Sequence, residues 1–433
     1  MLHLKHIANK LTDKQSTIKL KVFFSLLFIL FLCFSSTVKG VMAADPNFIN
    51  QVRVEYLDFE QKTTKEFNQY LDNTTKNYKQ YYNRQNEILD LFVIQTEADS
   101  KRLEQLLNAD LEQLEKQYGN NKSYSSKLRD YSSKINLNRL NSSMNQYATS
   151  MNPHRLNSLM NRFSNAVNEN RLNSSMYEYS SAINEHRLNS PMYSYSGEIN
   201  ENRLNSSMYD LSKASNEHSL NSIMYRYSKD QITQEEASNE WAQFKKSEIG
   251  DLQANINRFK TNLNQIEKKS RSDIYKQKCA TIHGILEQRA KSLQTVSTTR
   301  AAYFGKGIDF PNLVPSIGEI NVLLDGKWLC FEQPPMMKGG STIVPLRVIF
   351  EELGASVNWN SKTQSVTAKK GSTTIVLTIN KKVATINGKS ISLQSPPELI
   401  NGHTMVPVRF VSEALGANVK WDGGSKTVFI TTK

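Results

Sequence analysis

Seven histidines and three cysteines are the residues of this sequence best equipped for metal or redox chemistry. The histidines are His3, His6, His154, His186, His218, His283 and His403. His154, His186 and His218 step by thirty-two residues and are variants of one repeat column. A helical zinc site needs two ligands four apart on one face, and no histidine pair has that spacing or an accompanying cysteine pair. A structural or solvent-exposed role fits them, and no metal or cofactor is expected. Cys33 falls in an N-terminal apolar run, which leaves Cys279 and Cys330. Two thiols in so long a chain are not a disulfide framework. One Cys279–Cys330 bridge is an alternative; two unpaired buried thiols are the favoured reading. The glycines form neither a phosphate-cradling loop nor a dinucleotide fingerprint, and no Gly-x-Ser-x-Gly elbow occurs. A glycosidase would need two carboxylates held across a cleft at a fixed separation, which helical Glu and Asp do not supply by themselves. No catalytic residue is therefore assigned.

What must position any site is an elongated chain. It has 433 residues, of which 38% are hydrophobic and 22% charged. That composition argues against one compact core and for an extended body with one globular end. The formal charge is +13. Residues 1–43 carry six Lys and one Asp, so the remainder holds 48 basic and 40 acidic residues, a net +8. Such a mild, dispersed excess favours anionic polymers such as wall teichoic acids or lipid headgroups. It lacks the clustered Lys/Arg face of a nucleic-acid footprint, and no nucleic acid is expected as a partner.

Lys19 and Lys21 precede an apolar run, Val22 to Phe34, and Val41-Met42-Ala43 offers small residues to a signal peptidase. Basic, apolar and small segments in that order form a secretory signal; cleavage after Ala43 is the favoured reading, with an uncleaved membrane anchor as the alternative. The run, about 13 residues, is short for a membrane span, which needs ~20. No second long apolar run follows, so no transmembrane segment is expected after cleavage.

Leu107, Leu111, Leu114 and Tyr118 follow helical spacing in a region from Phe48 to Tyr118. From about Gln234 to Tyr303, Leu252, Ile256, Phe259, Leu263 and Ile266 follow a 4-3-4-3 heptad rhythm. The two stretches are read as an intramolecular helical hairpin, with a coiled-coil homodimer as the alternative. Between them Arg-Leu-Asn-Ser begins at 139, 155, 171, 187 and 203, and Ser-Leu-Asn-Ser at 219, a sixteen-residue period without a slip. In one unit Leu172, Met176, Tyr179 and Ile183 have helical spacing. Sixteen residues turn a helix about 160° beyond whole turns, so one straight helix cannot keep these stripes on one seam. Asn and Ser favour caps and turns, and Pro153 and Pro191 sit inside the array. Broken helices or partial disorder are expected. The Tyr and Arg columns are either a ligand-binding ladder or core Tyr with solvated Arg; the second is the favoured reading.

After Gly305 and Gly307, Val, Ile, Thr and Gly rise, and the chain repeats itself with an offset of 62. Val344-Pro345-Leu346-Arg347 matches Val406-Pro407-Val408-Arg409, Leu353-Gly354-Ala355 matches Leu415-Gly416-Ala417, and Trp359 matches Trp421. Asp325-Gly326 and Asn387-Gly388 are hairpin turn signals. In each half a strand leads into a short helix ended by Gly, and a returning strand carries the Trp that would plug helix onto sheet. Arg347 and Arg409 are the candidate binding residues, for anions. The plainer reading, which is favoured, has each guanidinium bonding backbone carbonyls or Glu351 and Glu413.

These motifs, V-P-[LV]-R and E-x-L-G-A-x-V-x-W-[ND], each present twice, resemble the copper amine oxidase N-terminal domain-like (stalk domain) family over about 320–433. The resemblance implies an α+β accessory module of exported bacterial proteins. It implies neither copper nor amine oxidation, because the oxidase redox chemistry belongs to a separate domain. The expected fold class is multidomain: mainly α, with sixteen-residue helical repeats, followed by a C-terminal α+β module of two similar halves. The expected divisions are 1–43 (signal), 44–122 (helical), 123–230 (array), 231–306 (long helix) and 307–433 (stalk module). The expected function is a secreted or surface non-enzymatic structural or binding protein. Expected partners are a cell-wall polymer or another surface protein. The competing reading is a wall-active enzyme or its regulator.

Overall fold

Each Arg-Leu-Asn-Ser signature ends a turn and begins a helix. The computed structural model describes residues 44–311, 313–315 and 319–432, without the side chains of 412 and 413. The expected signal, 1–43, lies outside the described residues. Helix α1 spans Pro46–Tyr118. A 3-10 turn, Lys122–Tyr124, leads into α2 (Ser125–Ile135), α3 (Ser143–Ser150), α4 (Leu159–Ala166), α5 (Ser175–Ala182), α6 (Pro191–Glu198), α7 (Ser207–Ser215) and α8 (Ile223–Ser228). Helix α9 spans Gln234–Phe304. No helix among the described residues is long and apolar enough to cross a membrane.

The short helices follow from the signature's chemistry. Asn173 adopts φ 72°, and Asn141, Asn157, Asn189 and Asn221 are left-handed in the same way, a conformation that Asn tolerates better than most residues. This stops any helix before the Ser that follows. Ser174 then caps α5: its Oγ accepts from Tyr177 N–H at 3.0 Å and donates to the Asn168 carbonyl. Asn168 Oδ1 accepts from Asn170 N–H at 2.9 Å, closing the preceding turn. Ser190, Tyr193 and Asn184 repeat the arrangement one unit later. Leu172 therefore does not extend the helical stripe of Met176 and Tyr179, as its spacing suggested. It lies in the turn, 65% exposed.

The described residues divide into two compact units, 44–58 with Leu211–Lys246, and Phe59–Asp210 with 247–432. In the first, Phe48 meets Tyr227 edge-on at 5.3 Å, and Trp241 Nε1 donates to Glu55 Oε2 at 3.1 Å.

In the second unit, Phe67 meets Phe259 at 5.2 Å, and Tyr78 OH and Ser270 Oγ lie 2.5 Å apart. Asp99 pairs with Arg289 at 3.4 Å and Asp110 with Arg300 at 2.8 Å. Partner numbers rise together, so α1 and α9 run parallel. The expected hairpin is corrected: the array carries the chain back between them, and a third layer that returns leaves the two long helices pointing the same way. The heptad reading is corrected too. Leu252, Leu263, Ile274, Ile285 and Val296 are buried at steps of eleven, as are Phe259, Ser270, Thr281 and Ser292. On α1, Phe67, Tyr78, Leu89 and Ser100 keep the same step. Eleven residues make three helical turns, so these columns keep one face where a heptad would drift. Each eleven-residue block, about 16 Å of helix, receives one sixteen-residue unit.

The remaining strands form the C-terminal module. They are β1 (Asn321–Leu324), β2 (Lys327–Trp328), β3 (Met336–Lys338), β4 (Ser341–Pro345), β5 (Ser356–Asn360), β6 (Ser365–Lys370), β7 (Thr373–Thr378), β8 (Val383–Ile386), β9 (Lys389–Ser392), β10 (Glu398–Ile400), β11 (His403–Pro407), β12 (Asn418–Asp422) and β13 (Thr427–Thr431). Helices α10 (Leu346–Glu352) and α11 (Val408–Ala414) follow β4 and β11. The sheets are ordered β12-β13-β1-β2, β10-β11-β4-β3 and β5-β6-β7-β8-β9. Val344 pairs with Val406, its counterpart at offset 62, so the central β4–β11 pair joins the halves about a local two-fold. The halves differ at one strand. Strand β7 separates β6 from β8, whereas β13 pairs directly and in parallel with β1. Asp325, Gly326, Asn387 and Gly388 all have positive φ, as the hairpin signals required. Trp359 and Trp421 do not plug the core: they are 40% and 43% exposed. Both lie near the ends of edge strands, and seven-residue helices leave them uncovered.

Candidate ligand-binding surface

Each unit of the array has an inner and an outer face, and chemistry separates them. In four successive units the inner face is Met followed three residues later by a ring: Met144/Tyr147, Met160/Phe163, Met176/Tyr179 and Met192/Tyr195, all buried. Tyr179 stacks on Tyr78 at 3.7 Å and Tyr195 on Phe67 at 3.6 Å. Tyr147 OH donates to the Thr96 carbonyl at 3.2 Å. Burial pushes the hydroxyls of Tyr78 and Tyr147 up to about 12, because a phenolate there would lose its water. Ser270 and Ser292 donate to the Ser175 and Ser143 carbonyls at 2.5 Å. A hydroxyl at every second block thus meets the first turn of every second short helix. This Tyr column is core.

The outer face carries the other residues of the unit. Leu140, Leu156, Leu172, Leu188, Leu204 and Leu220 are 65–80% exposed, each at the same place in its turn. Tyr177 and Tyr193 are half-buried, with the guanidinium of Arg187 4.5 Å from the first ring and that of Arg203 5.3 Å from the second. Arg171 donates to Asn165 Oδ1 at 2.7 Å and Arg155 to Thr149 Oγ1 at 3.2 Å. The Arg side chains are tied down in register by neighbouring side chains, and Leu, Arg and Tyr recur together at each step. His154, His186 and His218 are exposed in the turns. Among the described residues no group of three or more His, Cys, Asp or Glu could hold a metal ion.

One interruption lies along α1. Where Leu89 faces Phe163, an open cleft of about 650 Å³ forms. Leu89, Phe163 and Met176 floor it, and Lys79, Asp90 and Glu169 stand at its edge. Its size is that of a small-ligand pocket.

In the C-terminal module, Arg347 Nη1 donates to Glu351 Oε1 at 3.0 Å and to the Val357 carbonyl at 3.1 Å, tying α10 to β5. Arg409 holds the equivalent place in α11. The two halves, their paired V-P-[LV]-R strands and their short helices have a match among known families. Residues 323–430 match the family model of the copper amine oxidase N-terminal domain. A 141-residue stretch of the chain is 31% identical to a protein of Brevibacillus choshinensis named "Protease inhibitor". That stretch covers 32% of this chain and 43% of the relative, so the chain spans less than half of the relative's length. Within the C-terminal module, Trp421 lines a groove of about 540 Å³ with Pro334, Pro335 and Met337.

The leucine column escaped sequence reading because a Leu four residues before a Met looks like one helical stripe. The left-handed Asn between them was the available signal. The register with α1 and α9 was also available, as an eleven-residue step in both flanking helices.

Proposed function

We propose that this chain is an exported, non-enzymatic binding protein of the bacterial surface, with the array as its recognition element. The observation that carries this reading is the outward column of Leu140, Leu156, Leu172, Leu188 and Leu204, repeated beside Arg and Tyr. Apolar side chains held in water at regular intervals cost solubility and mark interaction surfaces. A partner with its own repeat would gain by multivalency, since each further step engages at high effective concentration. Between the two partner classes, a surface protein and a cell-wall polymer, the leucines favour the protein. Sugar rings stack on aromatic faces, whereas isobutyl groups suit protein side chains. The copper amine oxidase N-terminal domain serves as the accessory module of the same chain. The experiment is binding to isolated cell walls, with and without their attached proteins, by the chain and by a Leu156→Asp, Leu172→Asp, Leu188→Asp variant. All three residues are exposed, so the variant keeps the fold.

A second reading, regulation of an exported protease, draws on the name of the Brevibacillus choshinensis relative. The cleft at Phe163 and the outer face would then meet a protease surface. Titrating the chain against a secreted bacterial protease tests it: inhibition at near-equal concentrations supports it, and unchanged cleavage rates refute it.

A further inference from the structure

Cys279 and Cys330, fifty-one residues apart in sequence, are brought together by docking of the C-terminal module on α9. Cys279 is buried in the helix and Cys330 is half-buried just after β2; both are free thiols. Each thiol shifts the other's proton affinity, Cys279 downward and Cys330 upward. Cys330 Sγ lies 3.8 Å from His283 Nε2, and that nitrogen also bonds the Trp328 carbonyl. Lys278, itself buried, stands beside Cys279. Both sulfurs line one cavity of about 30 Å³, walled by Tyr275, Ile282 and Trp328. That space admits one or two water-sized molecules and excludes a tripeptide disulfide.

We propose that Cys279 and Cys330 form a dithiol site that a small hydroperoxide oxidises to an intramolecular disulfide, covalently joining α9 to the copper amine oxidase N-terminal domain. Cys330 first, and Lys278 after it, lower the proton affinity of Cys279 against the opposing effect of burial, while Cys330 holds its own proton more tightly. Cys279 is thus the attacking thiolate. It attacks one oxygen of hydrogen peroxide; the O–O bond breaks, hydroxide leaves and Cys279 becomes a sulfenic acid. Cys330 sulfur then attacks Cys279 sulfur, an S–S bond replaces the S–O bond, and the sulfenic oxygen leaves as water with the Cys330 proton. Two thiols lose two electrons to the peroxide, which ends as two waters. The inference is independent of the binding reading, because it involves neither the array nor its outer leucines.

The test treats the full-length chain with hydrogen peroxide or oxidised glutathione, alkylates remaining thiols, and maps peptides by mass spectrometry. The expected result is a cross-linked peptide joining Cys279 and Cys330 after peroxide, restored to two thiols by dithiothreitol. Far less of it should form with oxidised glutathione over the same time. The Cys330→Ser chain should instead carry a sulfenic acid at Cys279, trapped by dimedone. Thiols left free, thiols carried to sulfinic acid, a cross-link between two chains, or equal reaction with oxidised glutathione would each overturn the proposal.

Discussion

Replacing Asn173 by Ala and by Gly separates backbone conformation from side-chain chemistry in the array. Asn173 sits at φ 72° with its side chain exposed, immediately before the Ser174 cap. A left-handed alanine costs roughly 1–2 kcal/mol against its preferred conformation, and asparagine offsets part of that locally. The alanine variant should lose about 1 kcal/mol. Glycine reaches the same φ without a Cβ penalty, giving back only a few tenths through its freer unfolded chain. Asn141, Asn157 and Asn189 occupy the same conformation in separate units. Four alanines should therefore lose about 4 kcal/mol, because distant sites without shared partners add. Hydrogen exchange of the Tyr177 and Glu178 amides reads the local effect without requiring a single global transition. At tenfold per 1.4 kcal/mol, Asn173→Ala should speed exchange about fivefold. An Asn173→Gly chain that exchanges as fast as the alanine chain would refute the argument, since the asparagine side chain would then be the cause.

Three further outcomes test the packing. Phe67→Ala removes the ring stacked on Tyr195 and touching Phe259, and should destabilise the second unit by about 3–5 kcal/mol in chemical denaturation. Gly284→Val places a Cβ 2.9 Å from Leu159 Cδ1, and should cost about 1–3 kcal/mol by overpacking α9 against α4, whereas Gly284→Ala should cost less. Glu248 has its proton affinity raised by burial first, then by Asp210, Asp251 and Glu198, against a hydrogen bond from Ser207. A carboxyl whose folded value lies above its unfolded one destabilises the fold when ionised, and stability falls as pH rises between the two values. Glu248→Gln should therefore raise the thermal midpoint at neutral pH, with the gain fading below the ordinary carboxylate range; an equal gain at every pH would contradict this.

Much of the C-terminal module was legible in the sequence because its signals are local. Asp325-Gly326 and Asn387-Gly388 state their turns, and the offset of 62 between Val344 and Val406 anticipates the strand pair on the local two-fold. The exposure of Trp359 and Trp421 was not legible, because strand alternation does not tell how far a neighbouring helix reaches. In the array, the mismatch between sixteen residues and the helical turn required broken helices, and Asn and Ser marked where. The heptad at Leu252, Ile256, Phe259 and Leu263 misled because any 4-3-4 stretch satisfies both a seven- and an eleven-residue repeat. The two diverge only over several turns, where Ile274, Ile285 and Val296 continue the step of eleven. Among candidate site residues, Arg347 bonds the Val357 carbonyl and Glu351. The outer leucines required the left-handed Asn to be recognised first.

The outer face of the array is where recognition is proposed to occur. The decisive measurement is saturable binding of the chain to isolated cell walls, compared with the Leu156→Asp, Leu172→Asp, Leu188→Asp variant of matched circular dichroism. Binding to protein-bearing walls that falls at least tenfold in the variant, and that is absent on walls stripped of protein, is the predicted result. Equal binding by both chains would contradict the account, and would move recognition from the array to the copper amine oxidase N-terminal domain.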